Sequence, residues 1–224
     1  MTILVEAAVE SLDDALEAVD GGAARLELCA DLAAGGTTPD DALITAVLDR
    51  VSVPVLTMVR PRGGSFVYSR AELDRMHAQI ESALRLGAAG VVLGVLNASR
   101  EIDVEQVSAL VNAAGPERVT FHRAIDRTPD VLASLDVLAS LGVARVLTSG
   151  GAATASEGAD TLAAMVQRAA GRITILAGGG VRASNAREIV ERTGVHEVHA
   201  RCEQDAARIR AICAALAGAS GAGS

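Results

Sequence analysis

A short segment in the middle of the chain carries three side chains suited to acid–base or binding chemistry. Residues 117–127 read ERVTFHRAIDR, so a run of β-type residues leads directly into His122, Arg123 and Asp126. An imidazole can exchange a proton near neutral pH, and a guanidinium can hold an anion. The segment therefore predicts a functional site at the end of a strand.

Ionisable side chains also end several other strand-like segments. The candidates for one shared polar pocket, as catalytic residues, are Glu6, Glu27, Arg60, His122, Arg123, Asp126 and His199. Burial raises the pKa of a carboxylic acid, so Glu6 or Glu27 could act as a base and His122 or His199 as an acid. Interior pairs of glutamate and arginine can equally be salt bridges that only close a barrel, and both interpretations stay open.

Two glycine-rich segments, LTSGG and LAGGGVRASN, indicate an anion site. In many barrels, backbone amides and a helix N-terminus at the last strands hold a phosphate, and guanidinium groups can clamp it. The candidate anion-binding residues are Arg60, Arg62, Ser149, Gly178, Gly179 and Gly180. The alternative is that these glycines only form tight turns.

Strand-like and helix-like segments alternate along the chain. The strand-like runs are 3–9, 24–30, 53–61, 90–96, 118–125, 144–150, 173–181 and 197–202. A helix-length segment follows each run, so the strands must be parallel with right-handed crossovers. Eight such units predict an α/β fold, a single (β/α)8 TIM barrel over residues 1–217 with a disordered Gly/Ser/Ala tail at 218–224. An open doubly wound sheet would show a glycine fingerprint after the first strand, where VESLDDAL has none.

The predicted barrel explains why polar residues end its strands, because the C-terminal ends of barrel strands form the active face. Alternation turns three sets of residues toward the barrel interior: Glu6 on the first strand, Glu27 with Cys29 on the second, and Glu197, His199 and Arg201 on the eighth. It turns Val5, Leu26 and Val198 outward, toward the helices. An unpaired buried carboxylate is strongly unfavourable. We therefore expect Arg60 and Arg123 to pair with the two glutamates.

Composition narrows the classes of function. A net charge of −8 and only three aromatic residues argue against a nucleic-acid partner. All 20 basic residues are arginine, which excludes a lysine Schiff base and a P-loop lysine. The three cysteines lack CxxC spacing, and we find no signal-peptide pattern and no apolar run long enough to span a bilayer. These features predict a cytoplasmic protein with no membrane partner.

Seven motifs occur in chain order: RLELC, GGTTP, RPRGG with a following F and YS, VTFHRAID, RVLTSG, AGGGV and EVH. Together they resemble the CutC family of copper homeostasis proteins over residues 2–202. The resemblance implies a TIM barrel, a cytoplasmic location, a homo-oligomer and a link to copper. It names no enzymatic activity, so whether the protein is an enzyme stays open.

The implied copper ion, as Cu(I), would seek sulfur ligands supported by imidazole. Cys29 matches the family cysteine, and the candidate metal ligands are Cys29, His199 and Cys202, although alternation points Cys202 away from His199. Family members often carry a second cysteine just after the first strand's glutamate, where this sequence has Ala8. Related chains also tend to continue for some dozens of residues past the eighth strand's histidine.

Two functions remain. The first is a copper homeostasis protein that binds Cu(I) at the C-terminal face of the barrel. The second is a metal-independent enzyme or binder for a small phosphorylated or carboxylated metabolite. Paired carboxylates with arginines suit proton abstraction beside a carbonyl or hydrolysis of a glycoside-like bond, and the sequence does not choose between these reactions. A structural barrel whose site has decayed is a third interpretation.

Overall fold

Eight parallel strands close into a barrel in which each strand pairs with its neighbours in chain order. The computed structural model describes residues 2–202 and 205–217. The strands are β1 (Leu4–Val9), β2 (Arg25–Leu28), β3 (Val55–Met58), β4 (Gly90–Leu93), β5 (Val119–Phe121), β6 (Arg145–Thr148), β7 (Thr174–Gly178) and β8 (Glu197–Arg201). The predicted (β/α)8 TIM barrel is confirmed, while the predicted tail at 218–224 lies outside the described residues.

One helix follows each strand and packs outside the barrel. The helices are α1 (Leu12–Asp20), α2 (Asp41–Leu48), α3 (Arg70–Leu86), α4 (Val104–Ala114), α5 (Val131–Ser140), α6 (Ala159–Ala169), α7 (Ala186–Thr193) and α8 (Ala206–Ala217). Side-chain caps start several of them: Ser11 accepts from the amide of Asp14, and Ser69 forms a capping box with Glu72. Within the described residues, no helix combines the length and the apolar character needed to cross a membrane.

The observed strands are mostly shorter than the predicted runs, because the C-terminal residues of those runs already belong to loops. The clearest case is β5, which ends at Phe121 because residues Arg123–Arg127 form a 3₁₀ turn. The imidazole of His122 caps this turn by accepting the Ala124 amide hydrogen at 3.2 Å. Arg123 and Asp126 therefore leave the barrel wall on a turn rather than on a strand.

The apolar core has two parts. The larger lies between barrel and helices and includes Val5, Leu26 and Val198, which confirms the predicted outward faces of β1, β2 and β8. The smaller fills the barrel interior near β2, β3 and β4, with Met58 and Val92 among its members. The interior is thus apolar on one side, and most of its charged residues lie on β8, β1 and β2, with Arg145 of β6 reaching across to them.

Candidate functional site

A cavity of about 360 Å³ opens at the C-terminal ends of the strands, and we call it the mouth cavity. Its lining includes Ala8, Glu27, Leu32, Met58, Arg60, Phe66, His122, Arg123, Leu147, Gly179, Gly180, Arg182, His199 and Arg201. The volume lies in the range of small-molecule sites. Of the residues predicted for a shared polar pocket, the barrel brings Glu27, Arg60, His122, Arg123 and His199 to this surface.

A layer of ion pairs fills the lumen beneath the cavity. Arg25 contacts Glu6 and donates to Glu197 at 2.5 Å, and Arg145 donates to Glu197 at 2.6 Å. Burial alone would raise the pKa of Glu6, but the hydrogen bond from His199 and the charge of Arg25 lower it to about 2. The expected pairing of Glu6 with Arg60 or Arg123 is therefore wrong, since β1–β2 register places Glu6 beside Arg25.

Glu27, His199 and Cys29 cluster just above this layer. His199 Nδ1 lies 2.8 Å from Glu6 Oε1, and its Nε2 lies 3.7 Å from Glu27 Oε2. The Cys29 Sγ atom lies 3.6 Å from the same Glu27 oxygen. Glu27 is 3% exposed, yet its Oε1 has no hydrogen-bond partner among the described residues.

The electrostatics of this cluster follow from burial and from neighbouring charges. Burial raises the pKa of Glu27, although the charge of His199 opposes that change. Burial lowers the pKa of His199, but the charge of Glu27 and the hydrogen bond to Glu6 outweigh it, so the pKa is raised. Burial, together with Glu27, raises the pKa of Cys29 well above 9, so this residue is a thiol at neutral pH. The cluster can therefore hold and exchange protons.

His122 presents a neutral imidazole to the cavity. Burial and the charge of Arg60 lower its pKa to about 3. Because Nδ1 accepts the Ala124 amide hydrogen, the single ring proton must reside on Nε2. That Nε2 has no partner within residues 2–202 and 205–217. The ring packs directly on Gly94, where an added Cβ would lie 2.5 Å from two ring atoms.

The two arginines predicted to clamp an anion have different environments. Arg60 lines the cavity, and its terminal nitrogens donate to four backbone carbonyls, of residues 34, 35, 36 and 64, at 3.1–3.2 Å. Arg62 does not line the cavity. Its guanidinium donates to Glu72 at 2.6 Å and to the Ser65 carbonyl at 2.7 Å. The predicted joint clamp is therefore corrected, because Arg62 is bound to Glu72 of α3 and to a carbonyl of its own loop.

Asp126 organises the loops that follow β5 and β6. Its carboxylate accepts from Arg123 Nε at 2.8 Å, Thr148 Oγ1 at 2.5 Å, and the Ser149 and Gly151 amides at 3.1 Å. Neither Asp126 nor Ser149 lines the cavity, and both are turned into this network. Of this group, only Arg123 reaches the cavity surface.

The glycine run after β7 divides between strand and cavity. Gly178 is the last residue of β7, and a Cβ there would meet the Leu147 side chain at 2.5 Å. Gly179 and Gly180 line the cavity with φ angles of +103° and +74°. The guanidinium of Arg123 lies against Gly179. The close approach of a side chain therefore accounts for at least one of these glycines.

Cys202 does not share a site with His199. It lies three residues after His199, just beyond the end of β8, so alternation turns its side chain to the helix side, where it is buried in the outer core. There it clusters with Asp14 and Glu17, within 4.8 Å. The predicted metal set of Cys29, His199 and Cys202 is therefore corrected to exclude Cys202.

Three arginines important to the site were absent from the candidate set. Arg25 lies two residues before the predicted interior residue Glu27, so alternation alone would have placed it inside. Alternation did place Arg201 inside with His199, but Arg201 was not included among the candidates. Arg182 lines the cavity just after the glycine run, and no local pattern indicates its direction.

Comparisons with known proteins agree on one family. The model of the CutC family matches residues 3–204. A CutC family protein of Xylella fastidiosa strain Temecula1 is 46% identical over 196 residues, covering 88% of this chain and 73% of the relative. A CutC family protein of Xanthomonas campestris pv. campestris strain B100 is 44% identical, covering 88% of this chain and 82% of the relative. The crystal structure of a CutC from Streptococcus agalactiae, described as a copper homeostasis protein, superposes with a TM-score of 0.84 at 37% identity, covering 88% and 98%.

Proposed function

Because this chain belongs to the CutC family, we propose that it serves copper homeostasis and binds a copper ion at the mouth of the barrel. One observation carries the proposal: His199 Nε2 and Cys29 Sγ both lie within 3.7 Å of the same oxygen of Glu27. Ligands about 2.0–2.3 Å from one ion are separated by roughly 3–4 Å from each other. The ligand atoms of Glu6, Glu27 and His199 all lie within 4.8 Å of one another, and among the described residues no such close set joins Cys29 to His199. Glu27 and His199 therefore have a spacing that suits one metal ion, and Cys29, which contacts the same Glu27 oxygen, would turn toward the ion to become its sulfur ligand.

Glu6 supports this assignment as an orienting residue. Its ionised carboxylate accepts a hydrogen bond from Nδ1 of His199, which leaves Nε2 as the ligand atom nearest Glu27. Histidine ligands in metal sites commonly donate their other ring nitrogen to a carboxylate, which sets the tautomer and the ring orientation. The unsatisfied Oε1 of buried Glu27 is a further group that a bound cation would stabilise.

The donor set also suggests the oxidation state. Thiolate and imidazole suit Cu(I), and copper would have to displace the proton that the Cys29 thiol retains at neutral pH. Ala8 is paired in register with Glu27 and lines the same cavity, but it offers no ligand. We therefore propose a site with a single sulfur ligand.

Anaerobic titration with Cu(I) against a chromophoric chelator tests the proposal. Cys29→Ala should lose most of its ability to take Cu(I) from the chelator. Cys202→Ala and Cys213→Ala change thiols outside the cavity and should bind Cu(I) like the wild type. Glu6→Gln should weaken binding by roughly 10–100-fold, as for other orienting carboxylates. Equal binding by the wild type and Cys29→Ala would overturn the copper site.

We propose a second function, recognition of a small anionic metabolite, because two arginines of the cavity lack an ion pair with any described carboxylate. Arg182 and Arg201 are largely exposed, and neither forms an ion pair with a carboxylate in the described part of the chain. Glu27, with its raised pKa, would be the proton acceptor or donor. A thermal-shift screen of phosphorylated and carboxylated metabolites, on wild type and Glu27→Gln, tests this function. We expect selective stabilisation of the wild type, and an unchanged melting temperature with every compound would contradict it.

We also propose a cytoplasmic homo-oligomer, on the strength of the family relationship. Size-exclusion chromatography with light scattering measures the molar mass of the assembly. A mass of one chain, 22.8 kDa, across a wide concentration range would contradict self-association.

A further inference from the structure

Arg60 places a buried positive charge beside the mouth cavity, and no carboxylate of the described residues pairs with it. The residue is 5% exposed and donates to four backbone carbonyls, with the uncharged Tyr68 hydroxyl as a further polar neighbour. Carbonyl dipoles orient a guanidinium but do not neutralise it, and a buried charge is stable only when paired. The Nε–H group has no acceptor among the described residues. An anionic ligand would supply both the countercharge and the missing acceptor.

His122 lines the same cavity and carries a second N–H donor that no described residue accepts. The residue is 5% exposed, its backbone-bound Nδ1 leaves the proton on Nε2, and that Nε2 lacks an acceptor in the described chain. An N–H group that is buried and unpaired is costly. A ligand oxygen at this point would therefore be bound more strongly than one at the exposed rim.

Phe66 packs against both donor residues. The guanidinium carbon of Arg60 lies 4.9 Å from the centre of the Phe66 ring, and the His122 ring centre lies 4.9 Å from the same point. All three residues line the mouth cavity. Packing on one rigid ring fixes both donors before any ligand arrives, which lowers the entropic cost of binding.

We propose that Arg60 and His122 form a binding site for the carboxylate group of a small organic ligand, separate from the proposed copper ligands. One carboxylate oxygen would accept from Arg60 Nε–H and the other from His122 Nε2–H. The two N–H donors match the two oxygens of a carboxylate, whereas a third phosphate oxygen finds no third donor in this pair. The inference rests on the second proposed function and names the group that the cavity recognises.

The first test is a titration of protein labelled with ¹⁵N at its histidine side chains. The probes are acetate and pyruvate, with acetamide as the uncharged analogue of acetate and inorganic phosphate as a different oxyanion. We expect acetate and pyruvate to shift the Nε2 resonance of His122 saturably, and acetamide to leave it unchanged. His77 and His196, which lie outside the mouth cavity, serve as internal controls.

The second test compares His122→Phe with His196→Phe. Phenylalanine keeps an aromatic ring against Phe66 and Gly94 but removes the donor. Pyruvate affinity, measured by calorimetry, should fall at least roughly tenfold in His122→Phe, as expected for loss of a hydrogen bond to a charged group. It should stay at the wild-type value in His196→Phe, whose altered side chain is exposed. If His122→Phe does not fold, the wild-type titration alone decides.

The outcomes separate this site from the function on which it rests. If pyruvate binds wild type and His122→Phe equally and leaves the His122 resonance unmoved, the anion sits elsewhere, for example at Arg182 and Arg201. The Arg60–His122 site is then overturned, while anion recognition stands. If phosphate shifts His122 as strongly as acetate does, the carboxylate assignment is overturned. If none of the anionic probes binds, both the site and the second function are overturned.

Discussion

Replacing Arg25 by methionine tests whether the ion-pair layer beneath the cavity supports the barrel. Arg25 is 5% exposed and connects Glu6, which is fully buried, to Glu197. Methionine keeps an unbranched apolar stem in the lumen but removes the charge. The variant would leave the Glu6 carboxylate with His199 as its remaining partner, and Glu197 with Arg145.

Two lines of reasoning give the same size of effect. Removing one partner of a buried ion pair costs about 3–5 kcal/mol. The pKa of Glu6 falls from 4.5 to about 2, which at about 1.4 kcal/mol per pKa unit represents a net gain of roughly 3 kcal/mol. Because burial opposes this gain, His199 and Arg25 together contribute more than that net value, and Arg25 can account for a cost at the lower end of the first range. We therefore expect Arg25→Met to lower the free energy of unfolding by about 3 kcal/mol at pH 7.

The pH dependence of that cost has a definite sign. Because the pKa of Glu6 is depressed in the folded state, the stability it contributes is fully present above pH 4.5 and disappears as the pH falls toward 2. The cost of Arg25→Met should therefore be largest at pH 7 and smaller at pH 4 and pH 3.

Equilibrium urea unfolding followed by circular dichroism measures this difference. The matched control is Arg70→Met, because the Arg70 side chain is 84% exposed and pairs with Asp74 at 3.0 Å on the surface of α3. That change should cost less than about 1 kcal/mol. If the two variants lose the same stability, or if the cost of Arg25→Met is as large at pH 3 as at pH 7, the reasoning is refuted.

Three further predictions concern individual residues of the site. Asp126→Ala should lower the free energy of unfolding in urea by about 2–4 kcal/mol, because the amide and hydroxyl groups that donate to its carboxylate would lose their acceptor. The control Asp130→Ala removes only the N-cap of α5 and should cost about 1 kcal/mol. Equal costs in the two variants would refute the role of Asp126 in holding the two loops together. Gly94→Ala should cost about 1–3 kcal/mol and shift the ring resonances of His122, because the new methyl group overlaps that ring; unmoved resonances would contradict the packing. Ala8→Cys should raise Cu(I) affinity roughly tenfold or more, since position 8 lines the mouth cavity beside Glu27, and unchanged competition with a chelator would count against the copper site.

Local signals were enough to predict the barrel. Helix-length segments between strands require parallel pairing, and a period of two assigns each side chain to the inner or outer face. This placed Val5, Leu26 and Val198 on the helix side, where the structure has them. The same rule pointed Cys202 away from His199, so including that cysteine as a metal ligand went against the pattern.

The partners of the charged residues were not predictable in the same way. Alternation puts Arg25 inside the barrel, but only the register between β1 and β2 places it beside Glu6. The acceptors of Arg60 come from two loops, around residues 34–36 and at residue 64, and the path of those loops depends on tertiary packing. The alternation of a strand sequence predicts which face of the sheet a side chain occupies. The register between neighbouring strands of the closed barrel determines which side chain it contacts.

Arg25, Glu197 and Arg145 fill the lumen below Glu27, so a ligand enters and leaves the mouth cavity through the same opening. A molecule seated near the opening then blocks the passage of anything held deeper. Loading of the deeper position should consequently slow when the outer one is filled, even if the two occupants never touch. Two ligands in a cavity with one opening exchange in a fixed order, because the ligand that binds second must dissociate first.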